Sequence, residues 1–312
     1  MKPVILLLFV VLLNTQSSFG QSSVEHVLTS LTEFEKVRDF TISSNGKEAY
    51  LTAQSPLEEL SVILRVENIN GNWQNPQLAS FSNGKFGDLE PFLSQDGLKL
   101  YFVSNRPLEN TDDKLKDYDI WYVTRTTINS NWSAPINMGS PINTKNNEFY
   151  PSIANNNNLY FTSDALAKTE KDNIFVSKWI NGSYSKPESM SSSINSNGYE
   201  FNSFIAPDES YIIFSGYNRK DGLGSGDMYI SYKDTANNWQ QAINLGDKVN
   251  SKSMDYCPFI DYTTNTLYFT SRRSNIKKNN HNNINDFINS INSYENGLSR
   301  IYSISLKSII NN

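Results

Sequence analysis

Apolar side chains in this chain fall into short runs, broken every few positions by Asn, Asp, Gly, Ser or Pro. Runs rich in β-branched and aromatic residues between turn formers predict strands. The clearest set opens at Pro91-Phe92-Leu93-Ser94, turns at Gln95-Asp96-Gly97 and resumes as Leu100-Tyr101-Phe102-Val103-Ser104. After a polar loop come Asp119-Ile120-Trp121-Tyr122-Val123, then a last run from Trp132 to Gly139. No stretch sustains a 3.6-residue apolar period, so helices are expected to be scarce.

The same order returns along the chain. Second strands are expected at Tyr160-Phe161-Thr162-Ser163, Ile213-Phe214-Ser215 and Tyr268-Phe269-Thr270-Ser271, and third strands at Asn173-Ile174-Phe175, Asp227-Met228-Tyr229 and Arg300-Ile301-Tyr302. Fourth strands carry an aromatic three residues before Pro: Trp73 with Pro76, Trp132 with Pro135, Tyr184 with Pro187; Trp239 has Ala242 in that place. A degenerate first copy contains Ala49-Tyr50-Leu51-Thr52. Repetition at a period of about 50 to 60 residues marks a repeat architecture. Four-stranded units repeated radially are β-propeller blades, closed into a ring that leaves no long open edge. The expectation is an all-β chain with a single propeller of five blades, or six if residues 21 to 40 or the Asn-rich insert hold another copy. The last unit stops near Leu306, so the segment Val24 to Leu31 is expected to supply its missing outer strand.

Between units, an Asn stands five residues ahead of a carboxylate: Asn83 and Asp88, Asn143 and Glu148, Asn195 and Glu200, Asn250 and Asp255. Each acid stands three residues ahead of a Pro or Ser that opens an apolar run. In a propeller this puts the acids just before the inner strands, at the mouth of the central channel. These eight residues are the candidate binding positions. One reading is a ring of hard oxygen ligands for calcium or a hydroxyl-rich ligand. The other is a repeated fixing device in which each acid accepts hydrogen bonds from a neighbouring blade. Asp119, Asp227 and Asn173 precede third strands and are expected to accept from turn backbone, with Arg106 and Arg272 as partners for the acids among them.

Ser94-Gln95-Asp96-Gly97, Tyr101-Phe102-Val103-Ser104, Asp119-Ile120 and Ile142-Asn143-Thr144 leading to Glu148 resemble the TolB-type β-propeller repeat, over residues 34 to about 306. The resemblance implies a binding or scaffolding module of the bacterial envelope, and its motifs speak to fold far more than to activity.

Residues 1–20 carry Lys2, an apolar run from Val4 to Leu13 and a small-residue end at Ser18-Phe19-Gly20. This reads as a secretory signal, too short to span a bilayer, so the protein is expected to be exported to the periplasm or beyond, with residues 21–312 as the propeller. No Cys follows the run for a lipid anchor. Without the leader 26 basic residues face 32 acidic ones, a net −6, which disfavours nucleic acid and anionic membranes. Cys257 is the only cysteine, so no intramolecular disulfide forms. The two histidines, His26 and His281, lie outside the repeats, which argues against a His metal cluster or triad.

Short joins fall on one face of the expected ring and long ones on the other: Pro107 to Lys116, Asp164 to Lys171, Tyr217 to Gly226 and Ser274 to Ser299. Function is expected on the long-loop face. Residues 274–299 form an Asn-rich insert, dispensable between 276 and 297; Ile284, Phe287, Ile288 and Ile291 carry helical spacing and could form a short helix docked on that face. The trailing aromatics Trp73, Trp132, Tyr184 and Trp239 are read as packing residues. The function expected is a non-catalytic, monomeric binding module with an envelope protein or a glycan as partner and no cofactor. The alternative is a glycan-acting hydrolase or lyase, which needs only two carboxylates, drawn from Asp88, Glu148, Glu200 and Asp255 with Asp117 and Asp221 from the loops.

Overall fold

The structure is a computed structural model that describes residues 23–108, 114–164 and 171–309. The expected leader lies outside the described residues. The described chain forms a ring of five four-stranded antiparallel sheets. Inner strands run Lys36–Ile42, Asp88–Leu93, Glu148–Ile153, Tyr199–Ile205 and Asp255–Asp261. We number the blades 1 to 5 in that order.

Ring closure follows from the truncated last repeat. Blade 5 has the order Asp255–Asp261, Thr266–Ser271, Arg300–Ser305 and then the N-terminal Glu25–His26 as its outer strand. Glu25 pairs with Ser303 and His26 with Tyr302, while Leu28 and Leu31 just beyond are buried in the main core. A three-stranded edge would leave a row of backbone donors and acceptors open. The first repeat, degenerate in sequence, builds a complete blade that includes Glu48–Gln54 and the longest strand, Ser61–Ile69.

Outer strands differ from the expectation. Those of blades 2, 3 and 4 are two residues each: Ile136–Asn137, Glu188–Ser189 and Ile243–Asn244. The Trp132 and Tyr184 runs precede the paired segments, because Pro135 and Pro187 bring no N–H to a ladder. In blade 3, Ser183–Tyr184 instead pairs with Trp179–Ile180 as a separate hairpin. Blade 1 alone carries a long outer strand, Asn72–Leu78, and absorbs Pro76 through a register shift opposite Arg65 to Glu67 and a left-handed Asn75.

Apolar faces pack blade against blade. One cluster joins Ile63 and Tyr50 of blade 1 to Leu100, Phe102 and Trp121 of blade 2; a second joins Val103 and Ile120 to Leu159 and Phe161 of blade 3. Trp132 donates Nε1–H to Tyr50 Oη at 3.0 Å across the blade 1–2 seam, and Trp73 meets Phe40 edge-on at 5.4 Å. The insert contains one helix, Ile284–Ile291, capped by Asn283 through Asp286 N–H at 3.0 Å. It is not docked: Ile284, Phe287, Ile288 and Ile291 are all exposed. No helix among the described residues is long and apolar enough to cross a membrane.

Candidate functional site

The acids that open the inner strands are fully buried. Three are locked by arginines from the end of the second strand of their own blade: Asp88 with Arg106 at 2.6 Å, Glu200 with Arg219 at 3.2 Å and Asp255 with Arg273 at 2.8 Å. Each arginine also donates to a carbonyl of the incoming connector, at Phe81, Ile194 and Val249. The connector's hydroxyl completes the lock, Ser196 donating to Glu200 and Ser251 to Asp255 at 2.8 Å. Burial raises the Asp88 and Glu200 carboxyls, and their arginines pull the other way. The pairing foreseen for Arg106 and Arg272 is therefore corrected. Arg106 reaches Asp88, while Asp119 is held by Lys116 and by Asn137 Nδ2 at 2.7 Å. In blade 5 the locking residue is Arg273, and Arg272 instead contacts Glu58 and Ser299. Asp227 accepts from turn backbone as expected, at Leu223 N–H, 2.6 Å.

Glu148 is the exception, because blade 3 has Asp164 and Ala165 where the others bring arginine. It accepts from Thr144 Oγ1 at 2.6 Å and Thr144 N–H at 3.1 Å. Burial pushes its carboxyl up to about 7, Thr144 pulls it down, and the carboxylates of Asp119 and Asp117 add to the rise.

The connector asparagines tie blades rather than bind outward. Asn143 accepts from Ile120 N–H and donates to Ile120 O, at 3.0 and 2.9 Å, replacing a strand partner on the preceding blade. Asn195 does the same to Ile174 and Asn250 to Met228. Asn83 does not. There Ser82 Oγ takes Ile63 N–H at 2.9 Å, and Asn83 caps its own turn at Lys85. Of the loop acids, Asp117 pairs with Lys116 and Asp221 accepts from Tyr229.

What reaches the channel axis is a ring of residues placed two positions after the acids in blades 2 to 5 and two after Val37 in blade 1. In every blade the ladder between inner and second strands slips: after Arg38, Leu89, Phe149, Phe201 and Tyr256. The first unpaired residue is left-handed, with φ of 61° at Asp39, 57° at Glu90, 50° at Tyr150, 49° at Asn202 and 56° at Cys257. Such a backbone costs non-glycine residues about 1 kcal/mol or more each. Hydroxyls of the preceding blade hold three of them: Thr270 takes Asp39 N–H, Thr52 takes Glu90 N–H and Thr162 takes Asn202 N–H. At the seam where that position is Val103, the Glu90 carboxylate itself accepts Tyr150 N–H at 2.7 Å.

Arg38 ties the ring together. It donates to Asp39 at 2.8 Å and Glu90 at 2.7 Å and lies 3.6 Å from the Cys257 thiol; Asn202 reaches Glu90 at 3.4 Å, and Tyr150 Oη donates to Pro258 O. Burial raises the Glu90 carboxyl against the pull of Arg38, and burial lifts the Cys257 thiol well above its ordinary value. Among the described residues no three His, Cys, Asp or Glu side chains are placed to hold a metal.

This cluster divides the channel. On the long-loop side opens a mouth of about 430 Å³ with Arg38, Asn202, Tyr199, Tyr217, Tyr256 and Arg272 in its wall. On the short-turn side opens a funnel of about 580 Å³. Sequence reasoning placed none of the five ring residues at the axis, although the Pro three residues after Asp88, Glu148 and Asp255 was a signal for three of them: a residue without an N–H next to the one that leaves the ladder.

No family model matches the chain, and no curated protein matches it either. Solved structures match over most of its length. A GH43 endo-arabinanase from Bacillus licheniformis is 13% identical at a TM-score of 0.52, covering 86% of this chain and 93% of its own. A GH62 hydrolase in complex with xylotriose is 12% identical at 0.50, covering 92% and 98%. A TolB-like protein from Agrobacterium tumefaciens is 14% identical at 0.47, covering 81% and 78%. At such identities the likeness to the two hydrolases is one of fold alone.

Proposed function

We propose that this protein is an exported, non-catalytic binding module of the cell envelope that holds an envelope protein or a glycan over the long-loop mouth of its channel. The observation that carries this reading is the contrast between closed acids and an open mouth. Asp88, Glu200 and Asp255 are spent on arginines and connector groups, and Glu148 is buried on Thr144. A pair of carboxylates flanking a scissile bond needs access to substrate. The mouth offers the Tyr199 and Tyr217 rings and the partly exposed Arg272 guanidinium over a floor of Arg38, Asn202 and Tyr256, a set suited to a sugar or peptide bearing a carboxylate. Retention of oligosaccharides and envelope extract on the immobilised mature protein tests the reading. Tyr217→Ala together with Arg272→Ala should abolish retention, and retention equal to wild type would refute it.

A second reading is glycan hydrolysis by Asp39 and Glu90. It is favoured by two carboxylates on adjacent blades at one arginine and by the raised Glu90 carboxyl, a property of a general acid. Both side chains are closed off beneath Arg38, which weighs for binding.

A further inference from the structure

The short-turn funnel is the second open end of the channel, and all five blades contribute to it. Its shape follows from one position on the inner strands, two residues beyond the left-handed one: Thr41, Phe92, Ser152, Phe204 and Phe259. Three phenylalanines supply apolar surface. The other two are small and have their hydroxyls committed, Thr41 to Leu93 N–H at 3.2 Å and Ser152 to Ile205 N–H at 3.0 Å. Five large side chains would fill the axis; three leave the cavity. Phe204 packs edge-on to Phe259 at 5.5 Å, and Tyr262 stands at the lip, fixed by a 2.8 Å bond between its hydroxyl and that of Tyr211.

The polar groups of the wall are unequal. Asp96 is satisfied by Ser94 Oγ at 2.6 Å and Leu98 N–H at 3.0 Å, and Asp261 by Thr263 N–H and Thr264 Oγ1. Lys99 is not matched in this way. Its ammonium rests over the rings of Tyr101 at 4.7 Å and Tyr122 at 3.9 Å, and no carboxylate among the described residues lies within ion-pair distance. Partial burial lowers its pKa, with no acid to offset the loss of water. A desolvated cation at the edge of an apolar cavity calls for an anion attached to hydrocarbon.

We propose that the short-turn funnel is a second ligand site, separate from the long-loop mouth, which takes an apolar carboxylate: a hydrocarbon or aromatic body against Phe92, Phe204 and Phe259, with its carboxylate on Lys99. The site is independent of whatever binds on the opposite face.

The probe is 4-phenylbutyrate, titrated calorimetrically into the mature protein beside its neutral amide and the corresponding amine. The acid should bind at least about tenfold more tightly than the amide, and the amine not at all. Lys99→Met should remove that preference, and Ser44→Trp, at an exposed position of the lip, should block both the acid and the amide while both variants keep the wild-type circular dichroism spectrum. Equal binding of acid and amide, unchanged binding in Lys99→Met, or no binding of the acid up to millimolar concentration would overturn the proposal.

Discussion

Arg38 of blade 1 donates to Glu90 of blade 2 at 2.7 Å, and the same carboxylate accepts Tyr150 N–H of blade 3 at 2.7 Å. One buried acid thus fastens three consecutive blades at the axis, where the regular ladder of each inner strand has been interrupted. The closed waist between the two open ends of the channel is a consequence of that arrangement.

The arginine locks predict large effects from removing one partner. Arg106→Met strands the buried Asp88 carboxylate and should cost about 3 to 5 kcal/mol, whereas adding Asp88→Asn should recover a substantial part. Chemical denaturation of the single and double variants measures both. A double variant no more stable than the single one would contradict the lock. Calcium and chelator should leave the melting point unchanged, since the four acids are buried and closed to a solvated ion.

Glu148 gives a pH dependence with a definite sign. Its folded carboxyl titrates at about 7, above its ordinary value, so the folded state holds the proton more tightly than the unfolded state. Its contribution is fully present below the unfolded pKa and is lost as pH rises through the folded one. Wild type should therefore lose thermal stability relative to Glu148→Gln between about pH 5 and about pH 8. A difference between the two that is constant with pH would contradict this.

Ring closure was legible in the sequence, because a repeat that ends after its third strand at Leu306 needs an edge partner and only Val24 to Leu31 was unassigned. The blade count was legible for the same reason. The working parts of the channel were not. Asp39, Glu90, Tyr150, Asn202 and Cys257 share no side-chain type, since their common property is a backbone conformation and composition does not record it. Asn83 misled by spacing alone: it stands five residues before Asp88, yet Ser82 makes the blade contact. The arginine partners were misplaced because the hairpin that returns the second strand beside the first sets which acid they meet.

Deleting residues 23–33 should lower stability by several kcal/mol, on the order of 1.5 to 3 for each of Leu28 and Leu31 before the strand pairing is counted. An unchanged melting temperature would show that the ring holds without its N-terminal strand.

The insert divides into two parts. Residues 276–292 carry no buried side chain in their helix, and a short Gly-Ser linker in their place should leave the melting point within about 0.5 kcal/mol equivalent of wild type. Tyr294 is different: it donates to Ile301 O at 2.6 Å and stacks on His26 at 4.3 Å, securing the closing strand. The expectation that everything from 276 to 297 is dispensable is narrowed accordingly, and Tyr294→Ala should destabilise where the linker does not. Equal stability of the two variants would remove the distinction.

The central proposal is that this channel binds a ligand without cleaving it. The measurement that tests it most directly is product formation from a panel of arabinan, xylan and acidic oligosaccharides by the mature protein, run beside Glu90→Gln and Asp39→Asn. The account predicts retention of a ligand with no release of reducing ends by any of the three proteins. Turnover by wild type that disappears in Glu90→Gln would contradict it and establish the hydrolase reading in its place.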